Sequence, residues 1–130
     1  MQDIKQFFEN DTFARDTGIV LVESFPGKAR VAMKISARHL NSHHTVHGGA
    51  IFTLADTAFA VASNSYGIPA AAINAHISYM KSVSSGTLYA DADEFALNPK
   101  LATYTVRVTD ENGDNIALFQ GMVYRKTPRK

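Results

Sequence analysis

One acidic residue lies in an otherwise uncharged part of this sequence. Between Arg38 and Lys81 the only formally charged residue is Asp56, which sits within a run of apolar and small residues from Gly48 to Ser63. A carboxylate is costly to bury without partners, so it normally avoids such surroundings. Its position indicates a chemical role, although an aspartate paired with a buried donor would fit the same run.

Two glycines begin that run. Gly48 and Gly49 at a helix start would leave backbone N–H groups that no side chain shields, at an end with partial positive charge. Such an end can bind the oxygen of an acyl carbonyl that becomes anionic during attack. Asp56 lies about 10–12 Å further along the helix axis, so we expect it to serve a carbonyl held by another subunit. A tight turn with close helix packing is the competing interpretation of the two glycines.

A cluster of histidines precedes the glycines and suggests a metal site. His39, His43, His44 and His47 fall within nine residues. They occupy one polar loop without regular spacing, whereas a zinc centre needs ligands and supporting partners arranged around one point. We therefore expect no metal at these residues.

The composition is that of a folded protein with one domain, which we place at residues 1–130. Of the 130 residues, 45% are hydrophobic and 19% are charged, with a net charge of +1 and no cysteine. This balance gives no reason to expect binding to nucleic acid or to a membrane, and it excludes thiolate nucleophiles. Because the N-terminus has no apolar signal core, a cytoplasmic location is expected.

Periodicity predicts the elements that position these groups. A short helix over residues 3–14 precedes a two-stranded hairpin that turns at Pro26-Gly27. A helix from Gly48 to about Tyr66 is apolar nearly all round, and four strands follow it, the last two joined at Asn112-Gly113. One buried helix needs a sheet that wraps it, so we predict an α+β fold with a curved antiparallel β-sheet around a central helix. The exposed far side of that helix predicts a dimer or larger assembly.

The segment from His39 to Ala58 resembles the signature of a known family. Asn41, the His-Gly-Gly at 47–49 and the Leu-Ala-Asp that ends at Asp56 are similar to the phenylacetic-acid-degradation (PaaI-type) branch of hotdog-fold acyl-CoA thioesterases. The resemblance extends from about residue 17 to 125. It implies a hotdog fold, a homodimer paired into a homotetramer, and hydrolysis of acyl-CoA thioesters. No cofactor or metal is implied, since coenzyme A is part of the substrate.

The resemblance also implies a role for each residue of the motif. Asp56 matches the catalytic carboxylate, and Gly48 matches the backbone N–H of the other subunit that polarises the thioester carbonyl. Asn41 matches a loop amide that helps to orient substrate or water, and His47 matches the histidine that supports this loop. Asp56 retains two possible roles, as a nucleophile that forms an anhydride or as a general base on water.

Further residues are expected to contact the substrate. They are the second glycine, residues at the pocket wall and basic residues near the CoA phosphates: Gly49; Phe52, Phe59 and residues near Tyr79; Lys81, Lys100 and Arg125. Some relatives carry a hydroxyl residue on the strand after the helix, where this chain has Ala72. Strand alternation predicts that Asn74 and His76 share the face of Ala72, where they hold a water or make polar interface contacts.

The sequence leaves the acyl group and two other functions open. Aryl-acetyl and medium-chain acyl groups both fit, and the resemblance favours a phenylacetyl-type thioester. A hotdog hydratase or dehydratase would pair His47 with Asp56, whereas a non-catalytic acyl-ligand binder would not need Asp56. Incubation with an enoyl thioester distinguishes hydration from thiol release, and removal of the carboxylate distinguishes a hydrolase from a binder.

Overall fold

The computed structural model describes residues 3–126. Within them, three α-helices, a 3-10 helix and six strands follow the predicted order. They are α1 (Ile4–Glu9), α2 (Thr12–Asp16), β1 (Ile19–Phe25), β2 (Lys28–Lys34), the 3-10 helix (Ala37–His39), α3 (Gly48–Ser63), β3 (Ala70–Tyr79), β4 (Thr87–Leu97), β5 (Leu101–Thr109) and β6 (Asn115–Arg125). In this part of the chain, none of the helices combines the length and the apolar character needed to span a membrane.

The six strands form one antiparallel sheet in the order β1-β2-β4-β5-β6-β3. Alternate residues of its strands are buried on the inner face, among them Val31, Met33, Leu88, Ala90, Tyr104, Val106, Phe119 and Val123. α3 packs against this face and contacts all six strands. The prediction of a curved antiparallel sheet around a central helix is confirmed.

The helix predicted over residues 3–14 is wrong in one respect, because two short helices occupy this segment. Asn10 ends α1, and Asp11 begins α2 by accepting the N–H of Ala14 on its Oδ1 at 3.0 Å. A side-chain acceptor at this point favours a new helix start over continuation of the first helix. Both short helices pack against α3 and β1.

α3 ends at Ser63, three residues before the predicted end. The side-chain amide of Asn64 donates to the carbonyl of Ala60 at 2.9 Å, and its oxygen accepts the N–H of Ala70 at 2.9 Å. Asn64 therefore closes the helix and fixes the start of β3. One stripe of α3 is incompletely buried, and we call it the open stripe; it comprises Gly49, Phe52, Thr53, Asp56 and Ala60.

β3 is an edge strand that pairs with β6 on one side only. Its register against β6 shifts between Ala72 and Asn74, which makes Ile73 the extra residue of a β-bulge. Ala72 lies opposite an inward-facing residue of β6, whereas Asn74 and His76 lie opposite outward-facing ones. The prediction that Asn74 and His76 share the face of Ala72 is therefore wrong. Both lie on the outer face of the sheet, so neither replaces a hydroxyl at position 72.

Candidate active site

The start of α3 carries backbone N–H groups that the helix itself cannot satisfy. His47 is the N-cap, and its Nδ1 accepts the N–H of Gly49 at 2.8 Å. The carbonyl of His47 accepts the N–H groups of Ala50 at 2.9 Å and Ile51 at 3.2 Å. Within residues 3–126 the N–H of Gly48 has no acceptor. It is the donor of the first turn that can bind an added oxygen.

The loop before α3 is held by two histidines. The N–H of His47 donates to the carbonyl of His39 at 2.7 Å. The buried ring of His39 accepts the N–H of Ser36 on Nδ1 at 3.0 Å and donates from Nε2 to the carbonyl of Thr17 at 2.6 Å. Both nitrogens of His39 are therefore engaged. Among the described residues, no group of three or more His, Cys, Asp or Glu side chains is placed to hold a metal ion.

Asn41 uses its side-chain oxygen within the same loop. Its Oδ1 accepts the N–H of His43 at 2.9 Å, and the N–H and hydroxyl of Thr45 at 3.2 Å each. The amide nitrogen of Asn41 makes no hydrogen bond to any residue from 3 to 126. Asn41 can therefore contribute N–H donors to a substrate or water, but its oxygen is already committed to the loop.

Asp56 lies half-buried on the open stripe, about two turns beyond Gly48. It forms no hydrogen bond or ion pair within the described part of the chain. Burial raises the pKa of its carboxyl above the ordinary aspartate value, and the negative charge of Asp11 adds to this rise. Asp56 is thus a carboxylate that residues 3–126 leave unpaired, and its raised pKa makes it a stronger base.

The two phenylalanines expected at the pocket wall have different environments. Phe59 is fully buried, with its ring centroid 5.3 Å from that of Phe119 and 5.9 Å from that of Tyr104. It is a core residue, so its predicted place at the pocket wall is wrong. Phe52 meets Phe119 edge-on at 5.5 Å and keeps part of its ring exposed on the open stripe.

The three basic residues expected near the CoA phosphates also differ in burial and in pairing. Arg125 is buried and donates to the carbonyl of Asn98 at 2.9 Å, so its expected phosphate contact is wrong. Lys81 is exposed and paired with Asp114 at 2.6 Å. Lys100 is exposed. The two lysines remain predicted phosphate contacts.

Two contacts near the site were missed by sequence reasoning. The hydroxyl of Tyr79 donates to the carbonyl of Gly48 at 3.0 Å, and Asp11 is close enough to Asp56 to raise its pKa. Both pairs are far apart in the chain, and no local pattern signals either contact. The capping position of Asp11 was readable from its residue type, but its approach to α3 was not.

A hollow of about 480 Å³ opens beside the start of α3. Its walls come from α2, the loop before α3 and the first turns of α3; they include Phe13, Thr17, Leu40, His47, Gly49 and Thr53. A larger surface groove of about 620 Å³ lies between α1 and β1. None of the predicted site residues lines that groove.

Known proteins match most of this chain, including the start of α3. Residues 43–117, more than half of the chain, match the thioesterase superfamily. The acyl-coenzyme A thioesterase PaaI of Escherichia coli (strain K12) is 35% identical over 125 residues, which cover 95% of this chain and 89% of that protein.

Two solved structures extend the comparison to three dimensions. A mutant of the phenylacetic acid degradation protein PaaI from Thermus thermophilus is 40% identical, with a TM-score of 0.85 and coverage of 88% of this chain and 99% of that one. The E. coli PaaI protein from the phenylacetic acid degradation operon is 35% identical, with a TM-score of 0.89 and coverage of 92% and 88%.

The raised pKa of Asp56 predicts that its negative charge destabilises the folded chain. Because the folded-state pKa lies above the unfolded one, stability is lost as the pH rises from the ordinary aspartate value through the folded-state value. Asp56→Asn should therefore raise the Tm at neutral pH, and this gain should disappear by about pH 3, where both side chains are neutral.

Thermal unfolding followed by circular dichroism across this pH range measures the effect. Asp93→Asn, at an exposed aspartate on the outer face of β4, is the control and should give no gain. An Asp56→Asn protein that is no more stable than the parent at neutral pH would contradict the prediction.

Proposed function

This chain belongs to the thioesterase superfamily and is a hotdog-fold thioester hydrolase, and we propose that it cleaves small aryl-acyl or medium-chain acyl-CoA thioesters at a site shared between subunits. In this proposal, Asp56 of one subunit supplies the carboxylate and the Gly48 N–H of the other polarises the carbonyl. Two groups on α3 that have no partner within residues 3–126 support it: the Gly48 N–H at the helix start and the Asp56 carboxylate on the open stripe.

Hydrolysis of a thioester develops negative charge on the carbonyl oxygen. The Gly48 N–H lies at the positive end of a 16-residue helix and would stabilise that charge. Asp56 either attacks the carbonyl carbon and forms an anhydride that water then cleaves, or takes a proton from an attacking water. Coenzyme A leaves as its thiolate in both routes, and neither route needs a metal or redox cofactor. The free amide N–H groups of Asn41 would orient the substrate or water.

The separation of Gly48 and Asp56 supports a site that two subunits share. Eight residues of helix separate them by about 12 Å along the axis, so one chain cannot present both groups to one carbonyl. β3 provides a surface for the second subunit, because most of its residues are exposed and its outer edge has no partner strand within residues 3–126. Pairing of two β3 edges about a twofold axis would bring two open stripes together. We take a homodimer that pairs into a homotetramer as the assembly.

A phenylacetyl-type acyl group is the preferred substrate in this proposal. The names of the similar PaaI proteins connect them with phenylacetic acid degradation. The hollow beside the helix start is the proposed place of the acyl group, where the side chain of Phe13, 70% exposed, would contact an aromatic ring. Exposed lysines, Lys81 and Lys100, are the proposed contacts for the CoA phosphates. The expected cytoplasmic location stays a prediction.

Asp56→Asn tests the role of the carboxylate. Because asparagine can neither attack nor accept a proton, kcat for phenylacetyl-CoA should fall by about 10²–10⁴-fold, measured by thiol release. Asp93→Asn should retain parental kcat, and size-exclusion chromatography should give the same assembly for all three proteins. Unchanged turnover in Asp56→Asn would mean that the carboxylate is structural.

Gly48→Pro tests the oxyanion donor, because it removes the N–H of that residue. Proline is well accepted at the first position of a helix, and His47 before it already has the extended backbone that proline requires (φ −60°, ψ 135°). A Cβ at position 48 would lie 3.3 Å from Cζ and from the hydroxyl oxygen of Tyr79, and that half-exposed ring can shift. We expect kcat to fall by about 10²–10³-fold.

Mixing the two inactive proteins then tests the shared site. A heterodimer of Asp56→Asn and Gly48→Pro subunits holds one site with both groups intact. Random exchange should restore about a quarter of the parental activity, since half of the dimers are mixed and half of their sites are intact. If both groups of a site came from the same chain, mixing would restore nothing.

A panel of thioesters tests the substrate class. Phenylacetyl-CoA should give a higher kcat/KM than acetyl-, hexanoyl- or octanoyl-CoA, measured by thiol release. A preference for the medium-chain esters would contradict the aryl-acyl assignment and leave the hydrolase intact. Hydration of crotonyl-CoA without release of thiol would favour the hydratase instead.

A further inference from the structure

We propose that Tyr79 is a positioning residue that holds the oxyanion donor of α3 in place. This inference rests on the proposed role of the Gly48 N–H. The hydroxyl of Tyr79 donates to the carbonyl of Gly48 at 3.0 Å. The phenol ring also lies beside Gly48, since a Cβ built there would be 3.3 Å from Cζ and from the hydroxyl oxygen.

The start of α3 needs such a contact because of its sequence. Gly48 and Gly49 have no side chains to restrict the backbone, and glycine is a poor residue for the interior of a helix. The direction of the Gly48 N–H depends on how the first turn is set relative to the rest of the site. A bond to the carbonyl on the other side of the same Cα restrains that turn without occupying the N–H.

Tyr79 is well placed to transmit the rigidity of the sheet to the helix. It is the last residue of β3, and it pairs with Ala117 of β6 on the inner face. The next residue continues the attachment, because the N–H of Met80 donates to the carbonyl of Ile116 at 2.8 Å. The hydroxyl of Tyr79 therefore connects Gly48 to a backbone fixed by sheet hydrogen bonds.

Core packing does not account for this side chain. Tyr79 is 51% exposed, so it adds little buried area at the helix start. Phenylalanine would make the same ring contacts, and only the hydrogen bond to Gly48 requires the hydroxyl. The removal of that hydroxyl should affect the direction of the N–H more than the stability of the fold.

Tyr79→Phe is the test, with Tyr124→Phe as the matched control. Tyr124 is 44% exposed and lies on β6, and its side chain faces the outer surface of the sheet. For phenylacetyl-CoA we expect Tyr79→Phe to lower kcat by about 10-fold, the effect of losing roughly one hydrogen bond's worth of transition-state stabilisation. KM, the Kd for coenzyme A measured by calorimetry, and the Tm should stay close to parental values. Tyr124→Phe should match the parent in every measurement.

The double variant Gly48→Pro/Tyr79→Phe tests whether the Tyr79 hydroxyl affects kcat through the Gly48 N–H. If Tyr79 acts through the Gly48 N–H, removal of its hydroxyl should cause no further loss once that N–H is absent. An equal 10-fold loss in both backgrounds, or unchanged kcat in Tyr79→Phe alone, would overturn the inference. Failure of the proposed function would look different, because the parent protein itself would then release no thiol from any acyl-CoA.

Discussion

The N–H groups at the start of α3 impose the constraint on which the site depends. They must find acceptors outside the helix, and His47 supplies acceptors for three of them through its ring and its carbonyl. A cap of this kind reaches the second N–H and leaves the first unused. The residue that stabilises the helix start thereby also determines which donor stays free. The loop hydrogen bonds of His39 and Asn41 matter because they fix the position of this cap.

Asp56, on the same helix, is a second group without a partner within residues 3–126. α3 is almost wholly apolar because the sheet wraps it, and this environment leaves Asp56 with a raised pKa and with no partner in the described part of the chain. The N–H of Gly48 and the carboxylate of Asp56 are too far apart along one helix to contact each other. In a symmetric pair, each would meet its counterpart from the other copy. Burial of the helix by a small, curved sheet is therefore consistent with the proposed site, in which a second subunit would supply the missing partner.

The sequence predicted those features that are determined over a few residues. The turn at Pro26-Gly27 follows from proline and glycine types, and Gly27 has the expected positive φ of 76°. The inward alternation of Val31 and Met33 follows from residue spacing. The motif from Asn41 to Asp56 supplied the proposed site residues for a similar reason, because they lie close together along the chain.

Features determined by the packing of distant segments were not predictable in this way. The bulge at Ile73 lies among alanines, so the residues on either side give no signal of a change of face. The contact of Tyr79 with Gly48 depends on where β3 ends relative to α3. Arg125 looked like a surface cation at a basic terminus, and only the pairing of β6 turned it inward. In each case the register of the sheet decided the outcome.

The two edges of the sheet are not equivalent, and this difference limits how far the structure can grow. β1 at one edge contacts α1 and α2 and has a bulge between Leu21 and Glu23, while the outer edge of β3 has no partner strand among residues 3–126. Bulged and covered edges resist the addition of further strands. Copies that join through β3 would pair their β3 edges with each other. Only the β1 edges would then be outermost. In the proposed dimer, such a sheet would end at two chains and would not extend into a fibre.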